Sequence, residues 1–183
     1  MAREPTRFEM YLTKLAFFFY GKTVYRSFAD RLPLQGNERV LDFGCGMGNV
    51  AYYALKRLTQ GHLTCIDISE RWLNSCRRTL RRYENTAYIR ADVPVLPEGS
   101  FDIIYCHFVM HDIPESSLEP ILTALVRSLR SGGSLIFIEP LREMKKLRYI
   151  KRQLTQSGLS HDKSRVTDIP LMGSSLESIY VKQ

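Results

Sequence analysis

Three positions along the chain combine acidic residues or glycines with the end of a short apolar run. In RVLDFGCGMGNV (39–50), Asp42 precedes three alternate glycines: Gly44, Gly46 and Gly48. Asp67 and Asp92 stand at the end of two later apolar runs. Glycine lets another molecule approach the backbone closely, and a carboxylate offers two acceptor oxygens to a vicinal diol. Together these residue types predict a ligand of the nucleotide kind.

Three interpretations of the glycines compete. A dinucleotide-binding loop, G-x-G-x-x-G, would need its third glycine at residue 49, where this chain has Asn49. A phosphate-binding P-loop needs a Gly-Lys-Ser or Gly-Lys-Thr triplet, which does not follow here. A purely structural turn is also disfavoured, because turn chemistry alone does not call for three alternate glycines with an acid two residues ahead.

The elements that must position these residues alternate along the chain. Apolar runs predict strands at 39–44, 62–68, 86–92, 101–108 and 134–140, and helix-period segments predict helices at 49–59, 70–83, 116–130 and 145–158. Two last runs, 165–172 and 175–183, flank a Gly-Ser turn and predict a hairpin. This order is typical of an α/β fold with a mostly parallel sheet, helices on both faces and a C-terminal antiparallel hairpin. Ligands of such sheets bind at the carboxyl ends of the strands.

The first 38 residues follow a different pattern. Aromatic and aliphatic residues recur there at helix spacing, which predicts one or two helices interrupted at Gly21 and packed against the sheet. We therefore expect a helical cap segment at 1–38 and a single domain at 39–183. The apolar run LAFFFY (15–20) is far shorter than a membrane span, and no signal peptide is evident.

The distribution of charge and the spacing of the cysteines limit which binding partners and metal sites are expected. The net charge is +7, and two basic runs, 71–82 and 141–153, carry +5 each, so the remainder is −3. Any site for a polyanion should lie near these runs, although a solvated helix face is the default interpretation. The four cysteines form no C-x-x-C pair, so their spacing predicts no metal site and fits reduced thiols in a cytoplasmic protein. Nucleic-acid binding is not expected, since no module combines stacking and basic residues.

Four segments in order carry a family resemblance. VLDFGCGMG (40–48) resembles the first motif of class I S-adenosylmethionine-dependent methyltransferases, and CIDIS (65–69) resembles their second strand with its acid. The segment 90–114 is similar to their third-strand acid and fourth strand, and LRSGGSLIFIEP (129–140) is similar to their fifth strand. The match covers about 36–140 and looks like the small UbiE-like, or type 11, branch. It implies a Rossmann-like, seven-stranded sheet, S-adenosylmethionine as cofactor and S-adenosylhomocysteine as product.

The resemblance also implies the cofactor-binding positions. Asp42 would orient the ammonium group, Asp67 would accept the ribose hydroxyls, and Asp92 would accept from the adenine amino group. The glycine loop would pass beside the methionine part, Ile68 and Trp72 would pack on adenine, and the Val93 backbone would contact its ring. The full set is Asp42, Gly44, Cys45, Gly46, Gly48, Asp67, Ile68, Trp72, Asp92, Val93 and Cys106. The structural alternatives are a loop-bonding Asp42, helix- or loop-capping Asp67 and Asp92, and a core Trp72.

The acceptor and any general base are the weakest part of the resemblance. His107 and His111 lie where relatives place groups near the methyl, so either could accept a proton, or simply bond the loop backbone. A pocket for a small-molecule acceptor, methylated at N, O or C, is expected from Tyr11, Tyr20, Tyr25 and His111. Two alternatives stay open: a phospholipid or other acceptor at an anionic membrane surface, with peripheral attachment, and a non-catalytic S-adenosylmethionine-binding module. The pattern gives neither the acceptor's identity nor the oligomeric state.

Overall fold

The structure is a computed structural model that describes residues 4–170 and 172–183. Its seven strands form one sheet in the order β3-β2-β1-β4-β5-β7-β6. The strands are β1 (Arg39–Phe43), β2 (His62–Asp67), β3 (Thr86–Arg90), β4 (Phe101–His107), β5 (Leu129–Pro140), β6 (Leu159–Ile169) and β7 (Gly173–Lys182). The helices are α1 (Arg7–Tyr20), α2 (Ser27–Arg31), α3 (Asn49–Leu55), α4 (Glu70–Thr79), α5 (Glu115–Ser128) and α6 (Met144–Gln156).

The sheet contains both parallel and antiparallel pairs of strands. β1 with β4, β2 with β3, and β4 with β5 pair in parallel, whereas β7 pairs antiparallel with both β5 and β6. The parallel strands β1, β2 and β4 are almost wholly buried, as expected for strands covered on both faces. The predicted fold class, a mostly parallel seven-stranded α/β sheet with an antiparallel end, is confirmed.

The chain divides into two compact units. Unit 1 comprises the described residues up to Glu38 together with Gly44–Asp92, and unit 2 comprises Arg39–Phe43 together with the described part of Val93–Gln183. Among the described residues, no helix is both long and apolar enough to cross a membrane.

In unit 1, the N-terminal segment is helical as predicted, but Gly21 does not interrupt it. Gly21 has right-handed helical φ and ψ, and α1 continues through a π-helical turn (Gly21–Arg26) into α2. A Cβ at Gly21 would lie 3.0 Å from the hydroxyl of Tyr53 on α3. The glycine therefore permits close packing between helices and is not a helix breaker.

Four element boundaries lie four or more residues from their predicted positions. Helix α3 ends at Leu55 instead of residue 59. Helix α4 ends at Thr79 instead of residue 83, so the last residues of the basic run 71–82 lie beyond it. Strand β5 begins at Leu129 and runs through the Gly132–Gly133 pair, with an irregular register against β4. Strand β6 begins at Leu159, six residues early, because this exposed strand has a mostly polar sequence without alternation.

Candidate functional site

In unit 1, the glycine-rich loop connects the end of β1 to α3 and is held by β2. The N–H groups of Gly44 and Cys45 both donate to the carbonyl of Ile66, at 2.8 and 2.9 Å. The N–H of Gly48 then donates back to the carbonyl of Cys45 at 2.9 Å, closing a tight turn. The loop is thus fixed before any ligand binds, which lowers the entropy cost of binding.

Two glycines of this loop serve different purposes. Gly46 has φ 53° and Gly48 has φ 80°, a region that side chains rarely adopt. A Cβ at Gly48 would lie 2.8 Å from the Sγ of Cys76, so this glycine permits contact with α4. A Cβ at Gly46 would meet nothing within 4 Å. Open space beside Gly46 is what a ligand approaching the loop backbone requires.

Asp67, the last residue of β2, faces the same loop. Its Oδ2 accepts from the N–H of Gly46 at 2.9 Å, and its Oδ1 accepts from the N–H of Ser69 at 2.9 Å. The residue is only 8% exposed. Each oxygen still has acceptor capacity, since a carboxylate oxygen can accept two hydrogen bonds. The carboxylate is therefore both oriented and able to accept a pair of hydroxyls.

The start of α4 is capped by Ser69. Ser69 accepts from the N–H of Trp72 at 3.1 Å, so Asp67 is not needed as the helix cap. The carboxylate of Glu4 accepts from the Ser69 hydroxyl and, at 3.2 Å, from the N–H of Glu70. Burial raises the pKa of Asp67 above its ordinary value; hydrogen bonds from Ser69 and Gly46 oppose this, and the charges of Cys76 and Glu4 add to it.

The other predicted adenine-contacting residues are less enclosed. Ile68 and Trp72 are half-buried, so Trp72 is not a core residue. Asp92 and Val93 are exposed and follow the end of β3 at Arg90.

In unit 2, Asp42 is buried within β1. Its Oδ2 accepts from the hydroxyl of Tyr105 on β4 at 2.8 Å, and Asp42 is only 2% exposed. Cys106, the next residue of β4, is fully buried, and burial raises the pKa of its thiol well above the ordinary value. Tyr105 was not predicted as a site residue because its apolar neighbours make it resemble core.

Also in unit 2, His111 pairs with a buried acid at the end of β5. Its Nδ1 lies 2.5 Å from the Oε2 of Glu139, and Oε1 of Glu139 accepts from the N–H groups of Val109 and Met110 at 3.0 and 2.7 Å. Burial alone would lower the pKa of His111, but the hydrogen bond to Glu139 and the charges of Glu139, Asp112 and Glu143 raise it. Glu139 therefore holds the His111 ring in place, a contact that the sequence pattern did not predict. The sequence shows an acid near the end of a buried strand but does not reveal its partners.

The second predicted histidine, His107, is the last residue of β4 and is half-buried. Its ring lies edge-on to Phe108 at 4.8 Å, and Phe108 has a positive φ of 55°. Such a conformation is uncommon for an aromatic residue and often marks a functional turn.

The three predicted acceptor-contacting tyrosines lie on the N-terminal helices of unit 1. Tyr11 is 61% exposed on α1, and Tyr20 is half-buried at its end. Tyr25, in the π-helical turn, lies 5.9 Å from the ring of Phe17, and burial raises the pKa of its hydroxyl. Phe17 also contacts the rings of Tyr52 and Tyr53 on α3, each at 5.9 Å.

The second basic run forms a groove in unit 2. Lys145, Arg148 and Arg152 recur along α6 and line, with Tyr149 and Glu115, a cavity of about 340 Å³. Because three basic side chains and one acidic side chain line this groove, it carries a net positive charge.

Comparison with known proteins gives consistent matches. Residues 40–133, just over half of the chain, match the family model described as "Methyltransferase domain". The chain is 34% identical over 116 residues to a trans-aconitate 2-methyltransferase of Azoarcus sp. (strain BH72), covering 63% of this chain and 44% of that enzyme. It is 31% identical over 116 residues to a demethylmenaquinone methyltransferase of Tropheryma whipplei, covering 62% and 46%. The chain thus spans less than half the length of these curated relatives.

Solved structures share the fold. A SAM-dependent methyltransferase from Aquifex aeolicus superposes with a TM-score of 0.74 at 19% identity, covering 94% of this chain and 98% of that one.

Proposed function

The chain belongs to the methyltransferase domain family, and we propose that it transfers the methyl group of S-adenosylmethionine to a small-molecule acceptor. The resemblance to class I methyltransferases in the sequence is confirmed by the family match over residues 40–133. One observation in the structure supports the cofactor most strongly: an oriented carboxylate at Asp67 stands beside open space at Gly46.

The residues of unit 1 fit the ribose of this cofactor. Asp67 is held by two backbone N–H groups, one on each oxygen, and keeps an acceptor site on both. Two vicinal hydroxyls can each donate to one of these oxygens, and such charge-assisted hydrogen bonds are stronger than neutral ones. Ile68 and Trp72, half-buried nearby in the chain, are proposed to pack on the adenine face. The roles of Asp42, Asp92, Val93 and Cys106 remain predictions.

When bound, the cofactor supplies a methyl group on a positively charged sulfur, and the leaving thioether carries no charge. The protein therefore needs no group that neutralises a leaving anion. Its main contribution is to fix the reacting atoms in line, which in favourable systems lowers a barrier by about 7–11 kcal/mol. The pre-formed hydrogen bonds of Gly44, Cys45 and Gly48 suit this task, because the loop need not reorganise.

We propose His111 as the base if the acceptor must lose a proton. Glu139 binds Nδ1 and thereby fixes the ring and its tautomer. Since the pKa of His111 is raised above 6.5, kcat/KM should rise with pH through an inflection above that value. Asp112→Asn, which removes one nearby charge, should move the inflection to lower pH. An unchanged inflection in that variant would exclude His111 as its origin.

The activities for which relatives are named define the first acceptor screen. One relative is named for trans-aconitate and another for demethylmenaquinone, so carboxylic acids and quinol-type phenols are tested first, followed by amines. The readout is release of S-adenosylhomocysteine by the wild-type chain and by Asp67→Asn. Turnover that Asp67→Asn abolishes supports the proposal. Turnover unaffected by Asp67→Asn, or no binding of S-adenosylmethionine at all, contradicts it.

An exposed aromatic face on α1 favours a second candidate, an acceptor held at an anionic membrane surface. Phe8, Tyr11, Phe18 and Phe19 are 61–81% exposed on this helix, which also carries Lys14. Such a helix can lie in the interfacial region of a bilayer. Flotation with phosphatidylserine–phosphatidylcholine vesicles at low salt tests this, with Phe18→Ala as the variant. Wild-type chain that stays unbound excludes this second candidate.

A further inference from the structure

Three cysteines that are far apart in the sequence meet in the interior of unit 1. Cys45 comes from the glycine loop, Cys65 from β2 and Cys76 from α4. Their Sγ atoms all lie within 4.8 Å of one another, and the three residues are at most 8% exposed. The group contains only thiol ligands, as far as the described residues extend.

We propose that Cys45, Cys65 and Cys76 form a binding site for one thiophilic cation of the Zn²⁺ or Cu⁺ class. Sulfur-to-metal distances of ~2.3 Å place the sulfurs of a three-thiolate site roughly 4 Å apart. The observed separations reach this value with a small contraction. An all-sulfur donor set selects soft cations over Mg²⁺, Ca²⁺ or Mn²⁺, which prefer oxygen ligands.

Metal capture by this cluster is coupled to proton release. Binding of a cation to all three sulfurs forms three metal–sulfur bonds, and each sulfur that was a thiol beforehand loses its proton to solvent.

Occupancy of this site would tie three elements together behind the glycine loop. Gly48 packs directly against Cys76, since a Cβ at position 48 would come within 2.8 Å of the Cys76 Sγ. The N–H of Cys45 donates to the carbonyl of Ile66 on β2. The Cys45 thiol also donates to the carbonyl of Gly46 at 3.7 Å, and apart from its two chain neighbours nothing lies within 4 Å of a Cβ placed at Gly46. The site therefore adjoins the glycine loop proposed for the cofactor, with which it shares Cys45, and its bound cation would hold that loop in place without taking part in methyl transfer.

Titration with Cd²⁺ in a thiol-free reductant tests the site, since thiolate–Cd²⁺ charge-transfer absorbance counts the sulfurs bound. The wild-type chain should bind one Cd²⁺ with an absorbance of three thiolates. Cys65→Ser and Cys76→Ser should lose about a third of the absorbance and bind at least tenfold more weakly. Cys106→Ser, a buried cysteine of unit 2 outside the cluster, should match the wild type. Competition by Zn²⁺ and by Cu⁺ then ranks the two cations.

Two results would overturn the proposal: no charge-transfer absorbance in folded wild-type chain, or equal absorbance in Cys65→Ser. Should the serine variants not fold, X-ray absorption of the Zn²⁺-loaded wild-type chain decides. Three sulfur neighbours at ~2.3 Å support the site, and a shell dominated by nitrogen or oxygen contradicts it.

Discussion

The ends of β2 and β5 each carry a buried carboxylate that accepts backbone N–H groups. The two carboxylates differ in their remaining capacity to accept further hydrogen bonds. Asp67 accepts one N–H on each oxygen. Glu139 accepts two N–H groups on one oxygen and pairs with His111 through the other. The first acid keeps room for an external donor pair, whereas the second is committed to holding the 109–111 segment. Position at a strand's carboxyl end therefore does not by itself make an acid a ligand-binding group.

The largest expected effect concerns Asp67. Asp67→Asn should weaken S-adenosylhomocysteine binding at least 100-fold, because hydrogen bonds to a charged acceptor contribute about 1.5–3 kcal/mol each. The free energy of unfolding should also fall by about 1–3 kcal/mol, because the Asn oxygen can accept from only one of the two N–H groups and its NH2 group leaves the other unpaired. Ligand-dependent thermal shifts measure both quantities.

The control is Asp168→Asn in the C-terminal hairpin, where the carboxylate bonds only Ser174 among the hydrogen bonds described. It should bind like the wild type. If Asp67→Asn also binds S-adenosylhomocysteine with the affinity of the wild type, the proposed difference between Asp67 and Glu139 is contradicted.

Glu139→Gln should act on stability instead. The change removes a buried charge paired with His111, so we expect a loss of about 2–4 kcal/mol in the free energy of unfolding. Urea denaturation measures it, with Glu98→Gln as the control. Glu98 and its partner Arg127 are both about 70% exposed, so that control should change by less than about 0.5 kcal/mol. Equal losses in the free energy of unfolding for the two variants would show that the contacts of Glu139 do not stabilise the fold.

Two glycines in the loop between β1 and α3 allow the ligand space and the packing of this loop to be tested separately. Gly48→Ala should cost about 2–4 kcal/mol, because the left-handed conformation is strained and the new Cβ meets Cys76. Gly46→Ala should cost only about 1–2 kcal/mol of stability from backbone strain, yet it should weaken cofactor binding. Denaturation and calorimetry measure the two effects. Identical stability losses would contradict the packing role of Gly48.

The smallest effect is a pH dependence at the end of β5. The folded-state pKa of His111 is raised, so its contribution to stability is fully present below the unfolded pKa of about 6.5 and is lost as pH rises through the folded value. The stability difference between wild type and His111→Gln, about 1 kcal/mol as for one hydrogen bond, should therefore shrink at higher pH. Denaturation across pH 5–9 measures it. A difference that grows with pH would mean that Glu139 does not hold a protonated His111.

Much of this could be predicted from the sequence, and the failures have physical causes. Strands β1, β2 and β4 were placed to within one residue because strands buried on both faces give continuous apolar runs. Strand β6 was shortened because exposed edge residues carry no such pattern. Asp67 was identified from its motif, but Glu139 makes contacts about 30 residues away in the chain that no local pattern encodes. The cysteine cluster was missed for the same reason, since its members are 20 and 11 residues apart.

Calorimetric titration of the wild-type chain with S-adenosylhomocysteine, with NAD as the competing ligand, tests the central claim most directly. The open space at Gly46 and the spare acceptors of Asp67 predict one site per chain with micromolar affinity, no binding of NAD, and no detectable heat in Asp67→Asn. Binding of NAD in preference, or an unchanged isotherm in Asp67→Asn, would contradict the assignment of the glycine loop and Asp67 to this cofactor.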